Sequence, residues 1–166
     1  GVFDAERTAE LKADFAAIMQ NTNRLRDLDV YLMEKDLYFS MVLRPVLAPA
    51  HAPQITLMAA VALADAIAAF IPVVPAIKWP NDILIGTRKL AGILTEVSCD
   101  AEQVHYVILG IGINLNFATD AMPEEIRRRA TSLLEITGKP VHRESFLQGL
   151  LQGIERCYGE LEQAGF

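Results

Sequence analysis

The chain has 166 residues, of which 52% are hydrophobic and 22% are charged, so it can bury the core of one domain. This composition excludes an intrinsically disordered chain, because disorder requires low hydrophobicity. A total of 15 Lys and Arg residues against 21 Asp and Glu residues gives a formal net charge of −6. No global basic field is therefore available to recruit nucleic acid.

The cysteines and the apolar segments favour a cytoplasmic protein. Cys99 and Cys157 are far apart and neither belongs to a Cys-x-x-Cys motif, a pattern typical of buried thiols in a reducing compartment. Residues 1–20 are charged and show helical spacing, so no secretory signal is predicted there. Residues 61–77 form the most apolar stretch, but Asp65 and two prolines interrupt it, so no membrane span is predicted.

The first half of the chain predicts a helix, a strand and a second helix. Apolar residues at helical spacing predict the first helix over residues 4–20. Residues 21–34 have mixed charges and no clean period, and we expect them to be irregular. Residues 37–43 form a predicted strand that ends at Arg44-Pro45, because proline cannot extend the hydrogen-bond ladder. After a proline-rich loop, residues 54–70 are apolar on all sides, which is typical of a buried helix.

The second half predicts a run of antiparallel strands followed by helices. The predicted elements are a strand at 73–77, a hairpin of strands 82–85 and 89–97 around Gly86-Thr87, a turn at 99–103, a strand at 105–116, and helices at 123–129, 131–136 and 144–164. This order favours an α+β fold in which helices flank a mixed, mostly antiparallel sheet. We expect one domain over residues 1–166.

The most unusual stretch is 78–94, where polar residues interrupt apolar sequence. Burying its lysine, asparagine and aspartate side chains is costly unless they are paired or used. One interpretation is structural, with Trp79 in the core and Asn81-Asp82 forming a turn. The other places the Asn and Asp side chains at the mouth of a cleft, with Trp79 as an apolar plate.

Lys89 leads directly into residues 90–94, which we expect to be buried. A lysine in this position is ordinarily a solvated strand residue. At the rim of an apolar slot, however, it is suited to hold a carboxylate or a phosphate as a point charge. Gly92 falls on the opposite strand face from Lys89 by the period-two rule. Its missing side chain still allows a ligand to approach the backbone closely.

Residues 110–116, Gly-Ile-Gly-Ile-Asn-Leu-Asn, lack the third glycine and the following helix of a dinucleotide-binding fingerprint. Strand alternation explains them better. The apolar residues face the core, and Gly110, Gly112, Asn114 and Asn116 share the other face. Either another backbone packs on that flat face, or a ligand lies there and contacts Asn114.

No metal site or covalent nucleophile is predicted from the residue pattern. The three histidines are far apart, and no group of His, Cys, Asp and Glu has metal-ligand spacing. The chain also contains no Gly-x-Ser-x-Gly elbow and no P-loop.

Together these motifs resemble the catalytic core of the biotin–protein ligases. The similar segments are Lys78-Trp-Pro-Asn-Asp82, Arg88-Lys-Leu-Ala-Gly-Ile-Leu94 with Glu96, Gly110-Ile-Gly-Ile-Asn114, and Leu37-Tyr-Phe-Ser-Met-Val-Leu-Arg-Pro45. They occur in the family's order, and the resemblance covers about residues 36–166. It implies the biotin and lipoate ligase catalytic fold, which is similar to that of class II synthetases.

The resemblance implies a reaction in two steps. Biotin and ATP form biotinoyl-AMP with Mg²⁺, and a lysine of the biotin carboxyl carrier protein of acetyl-CoA carboxylase then accepts the biotin. Attack by a carboxylate on a phosphate brings two anions together, so a fixed cation is needed, and Lys89 matches the family's lysine. The carrier lysine would be the nucleophile. A homodimer formed through a sheet edge is also implied.

Site roles follow from the resemblance, residue by residue. The implied catalytic residues are Lys89, Asp82 and Arg24, the implied biotin contacts are Thr22, Asn23, Lys89, Gly92 and Leu94, and the implied nucleotide contacts are Lys78, Trp79, Asn81 and Asn114. No residue is assigned as a metal ligand.

One family feature is not readable in the sequence. The family carries a Gly-Arg-Gly-Arg-x-Gly-Arg loop ahead of the Leu-Tyr-x-Ser strand, whereas residues 21–27 read Asn-Thr-Asn-Arg-Leu-Arg-Asp and only Arg24 falls on a family arginine. Alternatively, Asn21-Thr-Asn23 resembles the family's upstream Ser-Thr-Asn motif, and the arginine loop is then missing. Both alignments put residues 22–24 near the ligand.

The resemblance also sets expectations for domains and for alternative functions. We expect neither the winged helix of the repressor-type members nor the small C-terminal β-barrel, and hence no DNA binding. One alternative is a non-catalytic biotin-binding or dimerisation module of the same fold. The other is a lipoate–protein ligase, although Lys-Trp-Pro-Asn-Asp followed by Lys-Leu-Ala-Gly-Ile favours biotin.

Overall fold

The computed structural model describes residues 26–32, 36–118 and 123–164. The strands are β1 (Arg26–Leu32), β2 (Leu37–Leu43), β3 (Ala76–Lys78), β4 (Asp82–Ile85), β5 (Arg88–Cys99) and β6 (Val104–Ile113). The helices are α1 (Pro53–Ala68), α2 (Glu124–Arg127), α3 (Leu133–Thr137) and α4 (Arg143–Ala164), and a 3-10 turn spans Pro49–His51.

The six strands form one sheet in the order β1-β2-β6-β5-β4-β3, and all five pairings are antiparallel. The predicted α+β class and the mostly antiparallel sheet are confirmed. Gly86 has a φ of +59° in the turn between β4 and β5, a conformation that glycine adopts without strain. The predicted hairpin around Gly86-Thr87 is therefore also confirmed.

One hydrophobic core lies between the sheet and the helices α1 and α4, which pack against each other. Alternate residues of β2 enter it, and Leu37 and Leu43 are fully buried. In α4, the side chains of Phe146, Leu150, Leu151, Ile154 and Tyr158 are buried, and Leu161 is half-buried against them. Hydrophobic burial of these side chains is what holds the helices on this face of the sheet.

The segment Pro49–Ala68, which contains α1, is long and apolar enough to cross a membrane by length and composition. Its packing points to another role. Ile55, Ala59, Leu63 and Ile67 are fully buried in the core, and α1 contacts α4 and β5. It is a core helix of the described fold.

Four expectations about element boundaries need correction. The strand expected at 73–77 is shorter and spans Ala76–Lys78. Residues 26–32, expected to be irregular, form β1 and pair with β2. The strand expected at 105–116 ends at Ile113, so Asn114 already lies outside the sheet. The helix expected over 54–70 ends at Ala68. The helix predicted at 4–20 lies outside the described residues.

Candidate functional site

A β-bulge in β5 brings Lys89 and Gly92 onto the same face of the sheet. Asp82 of β4 pairs with Gly92, Ile83 pairs with Ala91, and the next residue of β4 pairs with Lys89, so Leu90 is the extra residue. The expectation that Lys89 and Gly92 lie on opposite faces is therefore wrong, because the period-two rule fails across a bulge. Leu90 and Ala91 are both buried as a consequence.

The floor of the site is a row of residues that crosses the whole sheet. The backbone register aligns Tyr31, Tyr38, Gly112, Gly92, Asp82 and Lys78, one from each strand. The two glycines at the centre leave this part of the floor without side chains. A Cβ added to Gly112 would lie 3.0 Å from the Tyr38 ring, and a Cβ added to Gly92 would lie 3.0 Å from Lys89 Nζ. The neighbouring side chains therefore lie directly on bare backbone.

A groove of about 820 Å³ lies above this floor. It is lined by Tyr38, Lys78, Asp82, Leu84, Thr87, Lys89, Leu90, Ala91, Gly92, Gly112, Asn114, Glu125, Ile126, Arg129 and Ala130. Strands supply the floor, and α2 with the residues that follow it supplies the opposite wall. The volume is in the range of sites that hold a small molecule or a cofactor.

Charged groups converge in this groove. The Lys89 ammonium lies 2.6 Å from Oδ1 of Asp82, and Lys78 is the cross-strand neighbour of Asp82. Arg129 adds a cation and Glu125 adds a carboxylate on the opposite wall. The lining therefore holds three cations and two carboxylates, which leaves a net positive charge suited to an anionic ligand.

Tyr38 is a groove residue that the sequence did not indicate. Partial burial, and to a lesser degree the negative charge of Asp36, raise the pKa of its phenol above the ordinary value. Its hydroxyl therefore stays protonated and available as a donor at neutral pH. The signal that could have found it is its place in the Leu37-Tyr-Phe-Ser strand, on the face opposite the buried residues.

Asn81 and Trp79 are placed differently from the groove residues. The Asn81 amide donates to the carbonyl of Ile93 at 3.0 Å, and the Ile93 N–H donates to the Asn81 carbonyl at 2.9 Å. The side chain therefore fastens the turn after β3 onto β5. Trp79 is 76% exposed, so the structural interpretation that put it in the core is wrong.

The structure places some of the predicted site residues in the groove and others outside it. The groove brings together Lys78, Asp82, Lys89, Gly92 and Asn114, but Trp79, Asn81 and Leu94 are not part of its lining. Leu94 is 64% exposed on the groove side of the sheet, so the expectation that all of residues 90–94 are buried is wrong. Thr22, Asn23 and Arg24 lie outside the described residues. Sequence reasoning missed the wall formed by Glu125, Ile126, Arg129 and Ala130.

Comparison with known proteins gives the groove a context. The sequence model of the biotin/lipoate A/B protein ligase family matches residues 29–114. The bifunctional ligase/repressor BirA of Bacillus spizizenii is 41% identical over 130 residues, which cover 78% of this chain and 40% of that protein. The biotin–[acetyl-CoA-carboxylase] ligase of Paracoccus denitrificans is 39% identical over 132 residues, which cover 76% of this chain and 54% of that protein.

A solved structure agrees with these sequence relatives. The biotin protein ligase from Aquifex aeolicus in complex with biotin and ATP is 34% identical and superimposes with a TM-score of 0.65, covering 79% of this chain and 53% of that one. The chain thus spans 40% to 54% of the length of the two curated relatives described above.

Proposed function

The chain belongs to the biotin/lipoate A/B protein ligase family, and we propose that it activates biotin with ATP and transfers the biotin to a lysine of a carrier protein. The observation that carries this proposal is the position of the Lys89 ammonium over the bare backbone of Gly92, beside Asp82 in the groove. A cation fixed above a floor without side chains can form close electrostatic contacts with the anionic groups of a ligand.

The proposed chemistry explains why a fixed cation is needed. A carboxylate oxygen of biotin attacks the α-phosphorus of ATP, a carbon–oxygen–phosphorus link forms, and the bond to pyrophosphate breaks. Both reactants are anions, so the pre-placed charge of Lys89 lowers the cost of bringing them together. In the second step the carrier amine attacks the activated carbonyl, an amide forms, and AMP leaves with the bonding electrons. The amine's proton passes to solvent.

Magnesium fits this groove as a companion of ATP. The described residues contain no group of three side chains that could hold a metal ion by themselves. Mg²⁺ at nucleotide sites needs only one or two carboxylates, because phosphate oxygens and water complete its shell. Asp82 and Glu125 would supply those carboxylates, and the ion would neutralise phosphate charge.

The wider setting of the reaction also belongs to this proposal. We propose the biotin carboxyl carrier protein of acetyl-CoA carboxylase as the acceptor, since the P. denitrificans relative is named for that activity. A cytoplasmic location and a homodimer formed through edge strand β1 or β3 complete the proposal. The biotin roles of Thr22 and Asn23 and the catalytic role of Arg24 remain predictions.

The decisive experiment is calorimetry with biotin, followed by ATP and a carrier domain. We expect biotin binding and ATP-dependent labelling of the carrier. Lys89→Ala should slow adenylate formation by about 10²- to 10³-fold without unfolding the domain. Lys139→Ala, which changes an exposed lysine outside the groove, is the matched control and should leave the rate unchanged.

The other outcomes separate the alternatives. Biotin binding with no labelling of the carrier would contradict the enzyme and favour a non-catalytic binding module. Binding of lipoate instead of biotin would favour a lipoate–protein ligase. If Lys89→Ala lowers only the melting temperature, the lysine is structural and the observation that carries the proposal fails.

A further inference from the structure

We infer that Asn114 is a positioning residue for Lys89 and acts through the backbone of residues 129–131. This inference deepens the proposed function and rests on it for its effect on substrates. Its structural part, however, concerns only bonds within the protein. The hydrogen bonds around the start of β5 carry it.

Lys89 has an unusual neighbour on its β6 side. Pairing between β5 and β6 begins at Ala91, so Lys89 has no partner in β6. Residues 129–131, which we call the bracket, take that place. The Lys89 N–H donates to the carbonyl of Arg129 at 2.7 Å, and the Thr131 N–H donates to the carbonyl of Lys89 at 2.9 Å. The bracket therefore fixes the backbone from which the Lys89 side chain extends.

Asn114 joins the bracket to β5. Its side-chain Nδ2 donates to the carbonyl of Thr131 at 3.0 Å, and its backbone N–H donates to the carbonyl of Leu90 at 3.0 Å. Its own carbonyl accepts from the Leu133 N–H at 3.1 Å. One residue thus holds β5, the bracket and the first turn of α3 together, at the point where the chain leaves β6.

Thr131 is the buried member of the bracket, whereas Arg129 is exposed and Ala130 is half-buried. Thr131 is fully buried, and its hydroxyl donates to Oε2 of Glu135 at 3.2 Å, while Oε1 of Glu135 pairs with Arg88, the neighbour of Lys89. A carbonyl that loses its donor in such a place cannot easily recruit water, so the backbone has to shift. Removing the Asn114 amide should therefore loosen the bracket itself.

The position of the Lys89 backbone matters because its ammonium has little spare room. Nζ lies 3.0 Å from the place that a Cβ of Gly92 would occupy and 2.6 Å from Oδ1 of Asp82. Misplacing a reacting or stabilising group by about 1 Å can cost roughly 100-fold in rate. A shift in the bracket would thus move the Lys89 ammonium relative to the substrate carboxylate, although Asn114 itself need not contact the substrate.

The test compares Asn114→Ala with Asn116→Ala in the full chain. Asn116 is a matched control, because its side chain also bonds backbone, with Nδ2 donating to the carbonyl of Val141 at 2.8 Å and Oδ1 accepting from its N–H at 2.7 Å. Two readouts are used. The first is amide hydrogen exchange in the ligand-free protein, and the second is calorimetry with biotin alone, together with the KM for ATP.

We expect Asn114→Ala to speed exchange at the Lys89 and Thr131 amides by about tenfold, the equivalent of one hydrogen bond. Asn116→Ala should leave both unchanged. Asn114→Ala should also weaken biotin binding in the absence of ATP by about tenfold. The double variant should bind biotin little more weakly than Lys89→Ala alone, because both changes act on the same lysine.

Other results would overturn the inference. Unchanged exchange at Lys89 and Thr131 would show that the bracket does not depend on Asn114, whatever the protein binds. Unchanged biotin binding with a raised KM for ATP would make Asn114 a direct nucleotide contact. If the wild-type chain binds no biotin, the proposed function fails, while hydrogen exchange still decides whether Asn114 holds the bracket.

Discussion

Lys89 and Gly92 share one face of β5 because the bulge at Leu90 adds a residue between them. The lysine side chain consequently lies across the glycine, with Cε 3.1 Å and Nζ 3.0 Å from the place of a Cβ at Gly92. The position of the Lys89 ammonium thus depends on the absence of a side chain at Gly92, and a substitution at Gly92 should displace the lysine side chain.

Gly92→Ala should displace the Lys89 ammonium while the fold persists, since the colliding atoms are at the far end of a flexible side chain. We expect adenylate formation to fall by about 10- to 100-fold, measured by pyrophosphate release. Gly149→Ala is the control. Nothing lies within 4 Å of a Cβ there, and the residue lies in α4, so stability should rise by about 0.5–1 kcal/mol. Full activity of Gly92→Ala would show that the close approach is unimportant.

Asp82→Asn should tighten the binding of biotin when ATP is absent. The carboxylate of Asp82 is the partner that an incoming carboxylate must displace from Lys89. Because the lysine side chain is 49% exposed, the pair is worth only ~1 kcal/mol or less, so we expect a gain of about fivefold or less in calorimetry. Glu125→Gln removes a different carboxylate from the same groove and should give a smaller change. Weaker biotin binding in Asp82→Asn would mean that Asp82 orients Lys89.

Ser132→Ala should destabilise the fold by about 1–3 kcal/mol, measured by urea unfolding. Ser132 is fully buried, and its hydroxyl caps α3 by accepting the N–H of Glu135 at 3.1 Å while donating to the carbonyl of Phe117 at 2.6 Å. Ser145→Ala, at an exposed position, should cost little. An equal loss of unfolding free energy in both variants would contradict the capping role of Ser132.

Asp100 should make part of the stability dependent on acid pH. Its carboxylate accepts the backbone N–H groups of Gln103 and Glu102, and these bonds, aided by His105, lower its pKa. A lowered folded-state pKa gives stabilisation that is present above the unfolded pKa and is lost as pH falls through the folded pKa. The stability difference between wild type and Asp100→Ala should therefore shrink in thermal melts as the pH falls below the ordinary pKa of an aspartate. Asp100→Asn, which keeps an acceptor, should show no such titration.

Long, strongly patterned elements could be predicted from the sequence, since their signals are local. The helical spacing of apolar residues indicates α4, and a glycine between two apolar segments indicates the turn between β4 and β5. β1 was missed because its two aspartates and its arginine obscured the alternation of Leu28, Val30 and Leu32. Pairing with β2, a tertiary interaction, makes it a strand.

The site was only partly readable for a related reason. Lys89 and Asp82 stood out as charges in apolar sequence, and the groove does bring them together. The bulge was not readable, because Leu90-Ala91 looks like any apolar pair until β4 aligns beside it. The wall at Glu125 and Arg129 comes from a short segment without a motif, and its place depends on the bracket hydrogen bonds.

The row of six residues across the floor has a consequence for folding. Its members come from positions 31 to 112, and β6, the last strand in sequence among the described residues, inserts between β2 and β5 at the centre of the sheet. A nascent chain that has not yet produced β6 therefore has no groove, however well its earlier hairpins have formed. Contacts of such long sequence separation form late. Ligand affinity should accordingly appear in a single step, when the sheet is complete. A bound ligand should also raise the melting temperature, because it binds only the folded protein.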